Sequence, residues 1–273
     1  MILPSPNINS IKFFNLEIKF YAILFLVGFF LLYSILKKDI KKSVFEISET
    51  NLLNLSIVIF ISAILGARVY HVLTSLNLYK QSGEFNFLKA LNIRNGGLGI
   101  PGGIFSGIAG GLIYSKIKKL KNYWRLLAIG LPNLLLAQSI GRWGNYFNQE
   151  LYGRPSNGLV KLEIDLAHRP AYLSNITYYQ PLFLYESALT LVAFIIYRVV
   201  IKNKYKVNVN FNYSYYFISY GVIRALLEPL RIDDSIFIFN QRFNFVIAIL
   251  FIVIGTIFAL YPLLPRFNKR VDK

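Results

Sequence analysis

An all-α membrane protein with seven transmembrane helices, its N-terminus outside and its C-terminus in the cytoplasm, is the architecture the sequence predicts. The chain is 55% hydrophobic and only 16% charged over 273 residues, more apolar side chain than one water-soluble core encloses. Seven windows, near residues 20 to 36, 52 to 74, 97 to 115, 125 to 142, 182 to 200, 213 to 230 and 244 to 264, are apolar over the length of about 17 residues or more that crosses a hydrocarbon core of about 30 Å. Lysine and arginine gather in alternate loops, which sets the orientation by the positive-inside rule.

The first window begins too far in, and runs too long, for a cleaved signal peptide; it runs inward from Tyr21 to the basic loop of Lys37, Lys38, Lys41 and Lys42. The second returns outward and finishes in Gly66-Ala67-Arg68-Val69-Tyr70-His71. The third opens on Gly96-Gly97-Leu98-Gly99-Ile100-Pro101-Gly102-Gly103 and ends before Lys116, Lys118, Lys119, Lys121 and Arg125. The fourth emerges outward in Gly141-Arg142-Trp143-Gly144-Asn145-Tyr146-Phe147-Asn148-Gln149-Glu150-Leu151-Tyr152-Gly153. A long outer loop from Arg154 to Tyr179 follows, so residues 143–181 read as an extracytoplasmic cap within one membrane domain spanning 1–273. The fifth window enters behind Gln180-Pro181-Leu182-Phe183-Leu184-Tyr185-Glu186 and ends at Arg198, Lys202, Lys204 and Lys206. The sixth leaves through Tyr220 to Arg231, and the seventh ends before Arg266, Lys269, Arg270 and Lys273. These clusters hold more than half of the 30 basic residues, almost without acids, and read as topology determinants beside anionic lipid rather than as a nucleic-acid surface.

Cysteine is absent, which removes disulfides, thiolate metal ligands and a thiol nucleophile of the chain's own. With only His71 and His168, a histidine-built metal site is not expected either. No cofactor is implied.

Six polar segments thus converge on the outer leaflet, where a charge in hydrocarbon costs several kcal/mol unless it meets a partner or a polar cavity. Gly99, Gly103, Gly107 and Gly111 recur every fourth residue, the spacing of close helix packing, while the glycines around Pro101 also suit a helix start whose free N–H groups hold a phosphate. Tyr220, Arg224, Glu228 and Arg231 share one helical face. An Arg224 to Glu228 ion pair accounts for Glu228, whereas Arg224, about two turns inside the interface, is placed to meet a lipid phosphate bidentately. Arg68 reads equally as a snorkelling anchor or a functional cation, Tyr21 as an aromatic-belt residue, and Glu186 as a partner for a helix dipole.

Together these residues resemble the prolipoprotein diacylglyceryl transferase family. The resemblance is carried by Gly141-Arg142-x-Gly-Asn145-x-x-Asn148-x-Glu150-x-x-Gly153 and supported by Tyr21, Arg68, the Gly96 to Gly103 segment, Pro181 to Glu186, and Tyr220-Gly221-x-x-Arg224-x-x-x-Glu228. It implies a multi-pass enzyme of the bacterial cell membrane, its site toward the outer leaflet, that moves the diacylglyceryl group of phosphatidylglycerol to the lipobox cysteine of a prolipoprotein. A thioether forms and glycerol phosphate leaves. By the same resemblance Arg142, Arg224 and Glu150 are the expected catalytic residues. Arg142, Asn145, Gly153, Tyr21, Arg68, Gly102, Gly103, Tyr220 and Glu228 are expected to bind phosphatidylglycerol. Pro101 and Gln180 stand where many relatives carry histidine, so a histidine base at either position is in doubt; Glu150, Glu228, His71 and the departing phosphate remain as acceptors. An anion or phospholipid transporter, or a lipid-binding scaffold without transferase activity, is the reading from another class. A transporter would place polar groups through both halves of the bilayer.

Overall fold

The computed structural model describes residues 1–14, 16–41, 47–81, 84–93, 96–202, 208–233 and 235–263. Lys42, Lys204, Lys206, Arg266, Lys269, Arg270 and Lys273 of the basic clusters lie outside the described residues. The helices are α1 (Phe20–Lys41), α2 (Glu49–Thr74), α3 (Phe87–Leu91), α4 (Ile100–Ile117), α5 (Tyr123–Phe147), α6 (Leu182–Ile196), α7 (Val209–Leu227) and α8 (Phe243–Leu260). A π-helical turn, Tyr197–Ile201, extends α6. A long helix therefore occupies each of the seven apolar windows. By length and composition α1, α2, extended α6 and α8 are able to cross a membrane. In α4, α5 and α7 the glycines, amides, tyrosines and arginines of the candidate site dilute the apolar run.

Short strands accompany the helices: β1 (Ile2–Leu3), β2 (Ser10–Phe13), β3 (Leu16–Lys19), β4 (Lys80–Gln81), β5 (Glu84–Phe85), β6 (Lys161–Glu163), β7 (Tyr178–Tyr179), β8 (Phe237–Ile238) and β9 (Gln241–Arg242). The sequence reading did not foresee them. The chain divides into two compact units, one of 1–39 with 127–273, the other of 40–126.

In the first unit α1, α5, α6, α7 and α8 pack side by side where small residues admit a neighbour. A Cβ on Gly28 of α1 would lie 3.4 Å from Ala137 of α5. A Cβ on Gly221 of α7 would lie 2.9 Å from the Ala248 carbonyl of α8, and one on Gly255 the same distance from the Ile218 nitrogen. Glycine at both positions lets α7 and α8 approach closely, and Tyr213 stacks on Phe258 at 4.8 Å along the seam. At one end of this unit Asp39 closes α1 against Arg198 Nη1 at 2.7 Å and against Lys202. Asn133 Nδ2 also donates to Asp39 at 3.2 Å. Two of the cations expected only to mark the inner face thus neutralise a buried aspartate. The opposite end gathers the start of α1, the end of α5, the start of α6, the end of α7 and the start of α8.

The segment after α5 folds into a cap with its own core. β1 pairs in parallel with β6, and β6 antiparallel with β7. Tyr152, Leu162, Ile164, Tyr179 and Phe183 are buried together beneath this sheet. Each such apolar side chain contributes about 1.5–3 kcal/mol on burial, enough to fix a segment whose sequence reads as a plain loop. α5 itself continues to Phe147, beyond the expected start of the cap at 143.

The second unit is built on α2 and α4, packed through the fourfold glycine spacing. Cβ atoms on Gly103 and Gly107 would lie 3.2 Å from the Ala63 carbonyl and 3.3 Å from the Ala63 methyl. One on Gly102 would overlap the Gly66 carbonyl and the Tyr70 side chain. Ser48 caps α2 and Asn86 caps α3, their side chains accepting from the Asn51 nitrogen at 3.2 Å and the Lys89 nitrogen at 2.9 Å.

Candidate functional site

The site begins at the end of α5. Arg142 and Asn145 stand three residues apart on one face, and Arg142 Nη1 donates to Asn145 Oδ1 at 3.2 Å. Gln149 and Leu151 then take left-handed backbone, φ 51° and 56°, which ends the helix abruptly and folds the chain back on it. That reversal brings Glu150 Oε1 within reach of Asn145 Nδ2 at 3.0 Å and Asn148 Nδ2 at 3.1 Å. The buried Gln149 secures it from the other side, accepting from the Asp165 nitrogen at 2.8 Å and donating to Asp165 Oδ2 at 2.5 Å.

α6 contributes Glu186, whose side chain is 6% exposed. Its Oε1 lies 2.7 Å from Arg142 Nη2, and its Oε2 accepts from Arg224 Nη1 at 2.9 Å. α7 contributes Tyr220 and Arg224 one turn apart. The Tyr220 hydroxyl accepts from Arg142 Nη2 at 3.2 Å, while Arg224 Nη2 pairs with Glu228. Glu228 is fully buried and also accepts from Arg231 Nη1 at 3.3 Å, Arg242 Nε at 3.1 Å and Asn244 Nδ2 at 3.3 Å. Arg231 in turn holds Asp233 with both arms, Nε at 2.8 Å and Nη2 at 2.7 Å. A small cleft lies among these groups, lined by Arg142, Asn145, Leu151, Glu186, Arg224 and Arg231 with Leu182, Phe183 and Leu227.

Electrostatics explain why so many charges sit together. A buried ion costs several kcal/mol unless paired, and removing one partner of a buried pair costs about 3–5 kcal/mol. Glu186, Glu228 and Asp233 each meet at least two guanidinium groups, so any one arginine can turn toward a ligand without stranding its acid. In the cap, burial pushes the Tyr152 hydroxyl up to about 12, and that hydroxyl donates to the His168 carbonyl. Hydrogen bonds from Gln149 and Ser5 hold the Asp165 carboxyl below its usual range.

Arg142, Asn145, Glu150, Tyr220, Arg224 and Glu228 are therefore brought together in one unit. Tyr21 joins them at the start of α1, its ring lying where a Cβ on Gly144 would go, beside Phe20 stacked on Phe147 at 4.6 Å. Gly153 donates its N–H to the Gln180 carbonyl at 2.9 Å, and a Cβ there would come within 2.8 Å of Gln180 Oε1. Its small size serves the meeting of the cap with α6.

The other expected residues serve their own unit. Arg68 directs Nε to the Ala90 carbonyl at 2.6 Å, Nη1 to Gly96 at 2.9 Å and Gly97 at 3.0 Å, and Nη2 to Lys89 at 2.9 Å and Asn92 at 2.7 Å. All five of its donors are engaged, so Arg68 holds the backbone around these carbonyls in place. Gly96 and Gly97, with φ +85° and +78°, take the left-handed backbone that glycine allows, and their carbonyls accept from Arg68. Around Pro101 the Gly99 N–H donates to the Ala67 carbonyl at 2.9 Å, and Gly102 and Gly103 are packed against α2. His71 Nδ1 is hydrogen-bonded to the Tyr79 hydroxyl at 2.7 Å.

Two participants escaped the sequence reading. Glu186 was assigned to a helix dipole, yet a carboxylate one turn inside an apolar helix needs a cation, and two arginines of neighbouring spans were in view. Arg242 was passed over, although an arginine directly before the most apolar run has the same need.

Comparison with known proteins yields a consistent match. The family model described as prolipoprotein diacylglyceryl transferase matches residues 8–261. A protein of Finegoldia magna named phosphatidylglycerol–prolipoprotein diacylglyceryl transferase is 34% identical over 264 residues, covering 97% of both chains. Proteins of the same name from Streptococcus pneumoniae and Trichormus variabilis are 33% and 31% identical, covering 92% and 93% of this chain and 92% and 89% of their own.

Proposed function

The chain belongs to the prolipoprotein diacylglyceryl transferase family, and on that premise we propose that Arg142 and Arg224 hold the phosphate of phosphatidylglycerol while a lipobox cysteine displaces it. The observation that carries this reading is their convergence on Glu186. Two guanidinium groups from different helices approach the two oxygens of one carboxylate at 2.7 and 2.9 Å, a spacing that also suits two oxygens of one phosphate. The thiolate sulfur attacks the glycerol carbon that bears the phosphodiester, a C–S bond forms, and the C–O electron pair leaves on glycerol phosphate. Negative charge grows on that leaving group, and fixed guanidinium groups in a water-poor site stabilise it. The same positive field favours ionisation of a thiol whose ordinary value is about 8.5. Asn145 and Glu150, joined by a hydrogen bond, orient the Arg142 guanidinium or the glycerol hydroxyls; Tyr220 and Glu228 fix the two arginines from behind, and Tyr21 flanks them.

In this reading the protein crosses the bacterial cell membrane seven times, its N-terminus outside, as one domain with its cap beyond the outer leaflet. The basic clusters support that orientation, as does the gathering of Asp39, Arg198 and Lys202 at the end of the first unit away from Arg142 and Arg224.

Reconstitution in phosphatidylglycerol vesicles tests the proposal. A peptide with a lipobox cysteine should release glycerol phosphate in step with thioether formation, and the serine analogue should not. Binding of lipid without release would favour a scaffold; movement of phosphate-bearing solute across the vesicle wall without thioether would favour a transporter.

A further inference from the structure

We infer that Glu186 sets the charge of the arginine pair, matching it to a phosphodiester monoanion and letting a phosphomonoester dianion leave. This rests on the reading of Arg142 and Arg224 as the phosphate site. Among the described residues, Arg142, Arg224, Arg231 and Arg242 form one continuous chain of ion pairs with Glu186, Glu228 and Asp233. Within this chain of ion pairs four guanidinium groups meet three carboxylates, and the Glu150 carboxylate, joined to Arg142 through Asn145, stands beside it. The carboxylates are not equivalent. Glu228 and Asp233 are each held by Arg231 and Arg242, and Glu228 also pairs with one of the two proposed phosphate ligands, Arg224. Glu186 instead bridges only Arg142 and Arg224, and its buried Oε1, though 2.7 Å from Arg142 Nη2, has no well-aligned hydrogen bond.

A phosphatidylglycerol phosphate brings one negative charge to this network. Glycerol phosphate, a monoester, carries about 1.5 to 2 charges at neutral pH because its second pKa is about 6. The product therefore brings more negative charge than the substrate, and the buried Glu186 carboxylate repels the addition. Neutralising Glu186 makes the site one charge more positive, a change that favours the product over the substrate.

Glu186→Gln keeps the size and changes the charge. In vesicles of graded phosphatidylglycerol content the variant should need less lipid for half-maximal rate and be inhibited by added glycerol phosphate at about tenfold lower concentration, well short of the Coulomb limit for a unit charge at this range. Its steady rate should fall as product release slows, leaving a fast first turnover, and Glu186→Asp should restore release. A residue that merely props the arginines would weaken lipid use and product inhibition together; weaker or unchanged inhibition in Glu186→Gln overturns the inference. The unaltered protein supplies a second measurement. Inhibition by glycerol phosphate should strengthen as pH falls through about 6, where it becomes a monoanion, while inhibition by the deacylated diester stays flat. A monoester curve that is flat or weakens on acidification contradicts the charge match. Arg142→Gln separates the two ideas. If it leaves glycerol phosphate inhibition untouched, the phosphate site itself is wrong; if it weakens inhibition while Glu186→Gln fails to strengthen it, only the role of Glu186 falls.

Discussion

Arg68 and Arg224 are both buried guanidinium groups on long helices, 7% and 9% exposed, and they are held in opposite ways. Arg68 gives its five donors to the backbone carbonyls of Lys89, Ala90, Asn92, Gly96 and Gly97, acceptors that cannot move without refolding the backbone around them. Arg224 pairs with two side-chain carboxylates, Glu186 and Glu228, each of which has another arginine in reserve. The first arrangement fixes a fold. The second leaves a cation that exchanges partners at modest cost, which an anionic substrate requires. Burial and charge do not separate the two; the identity of the acceptors does.

Replacing one arginine of each kind breaks that comparison most sharply. Arg224→Gln should lower transfer of diacylglycerol to a cysteine peptide by about 10²–10³-fold, the usual range for losing one fixed donor to developing negative charge. The protein should still fold, because Glu228 keeps Arg231 and Arg242. Arg68→Lys should do the reverse. Lysine offers three donors without the planar fork, leaving carbonyls of the 89–97 loop unmet, and should cost about 2–4 kcal/mol of stability. Limited proteolysis within that loop would report it, and rescue by a lipid headgroup rather than by temperature would contradict the structural role.

The smallest effect lies in the cap. Hydrogen bonds from Gln149 and Ser5 favour the ionised form of Asp165, so its folded value lies below the ordinary carboxylate value of about 3.9. The stabilisation is present above that ordinary value and is lost as pH falls through the lower folded one. Asp165→Asn should flatten the acid side of a plot of thermal midpoint against pH, with little change near neutrality. An unchanged slope would detach the cap from this contact.

Much of this was legible in the sequence. The seven apolar windows carry helices because apolar length needs no tertiary information to be read, and the fourfold glycines between Gly99 and Gly111 mark a closely packed face of α4 whose partner, α2, spacing alone does not name. Arg142 and Arg224 were visible as charges in places that penalise charge. Arg68 was equally visible but not its purpose, since nothing in residue identity tells where the carbonyls of Lys89, Ala90 and Asn92 face. Glu186 was misread because a helix start explains an acid locally, and only the packing of α5, α6 and α7 places two guanidinium groups beside it. The cap's β1 to β6 pairing joins residues about as far apart in sequence as Ile2 and Lys161, which no local pattern encodes.

The most direct measurement of the central claim is the rate of cysteine-dependent glycerol phosphate release by Arg142→Lys, Arg224→Lys and the double variant in phosphatidylglycerol vesicles. Lysine keeps the charge and loses the two-armed geometry. If both arginines grip one phosphate, each single variant should fall by about 10²-fold or more, and the double should lose less than the two losses multiplied, as groups acting as a unit do. Near wild-type release by both single variants would contradict the arginine pair as the site of phosphate binding.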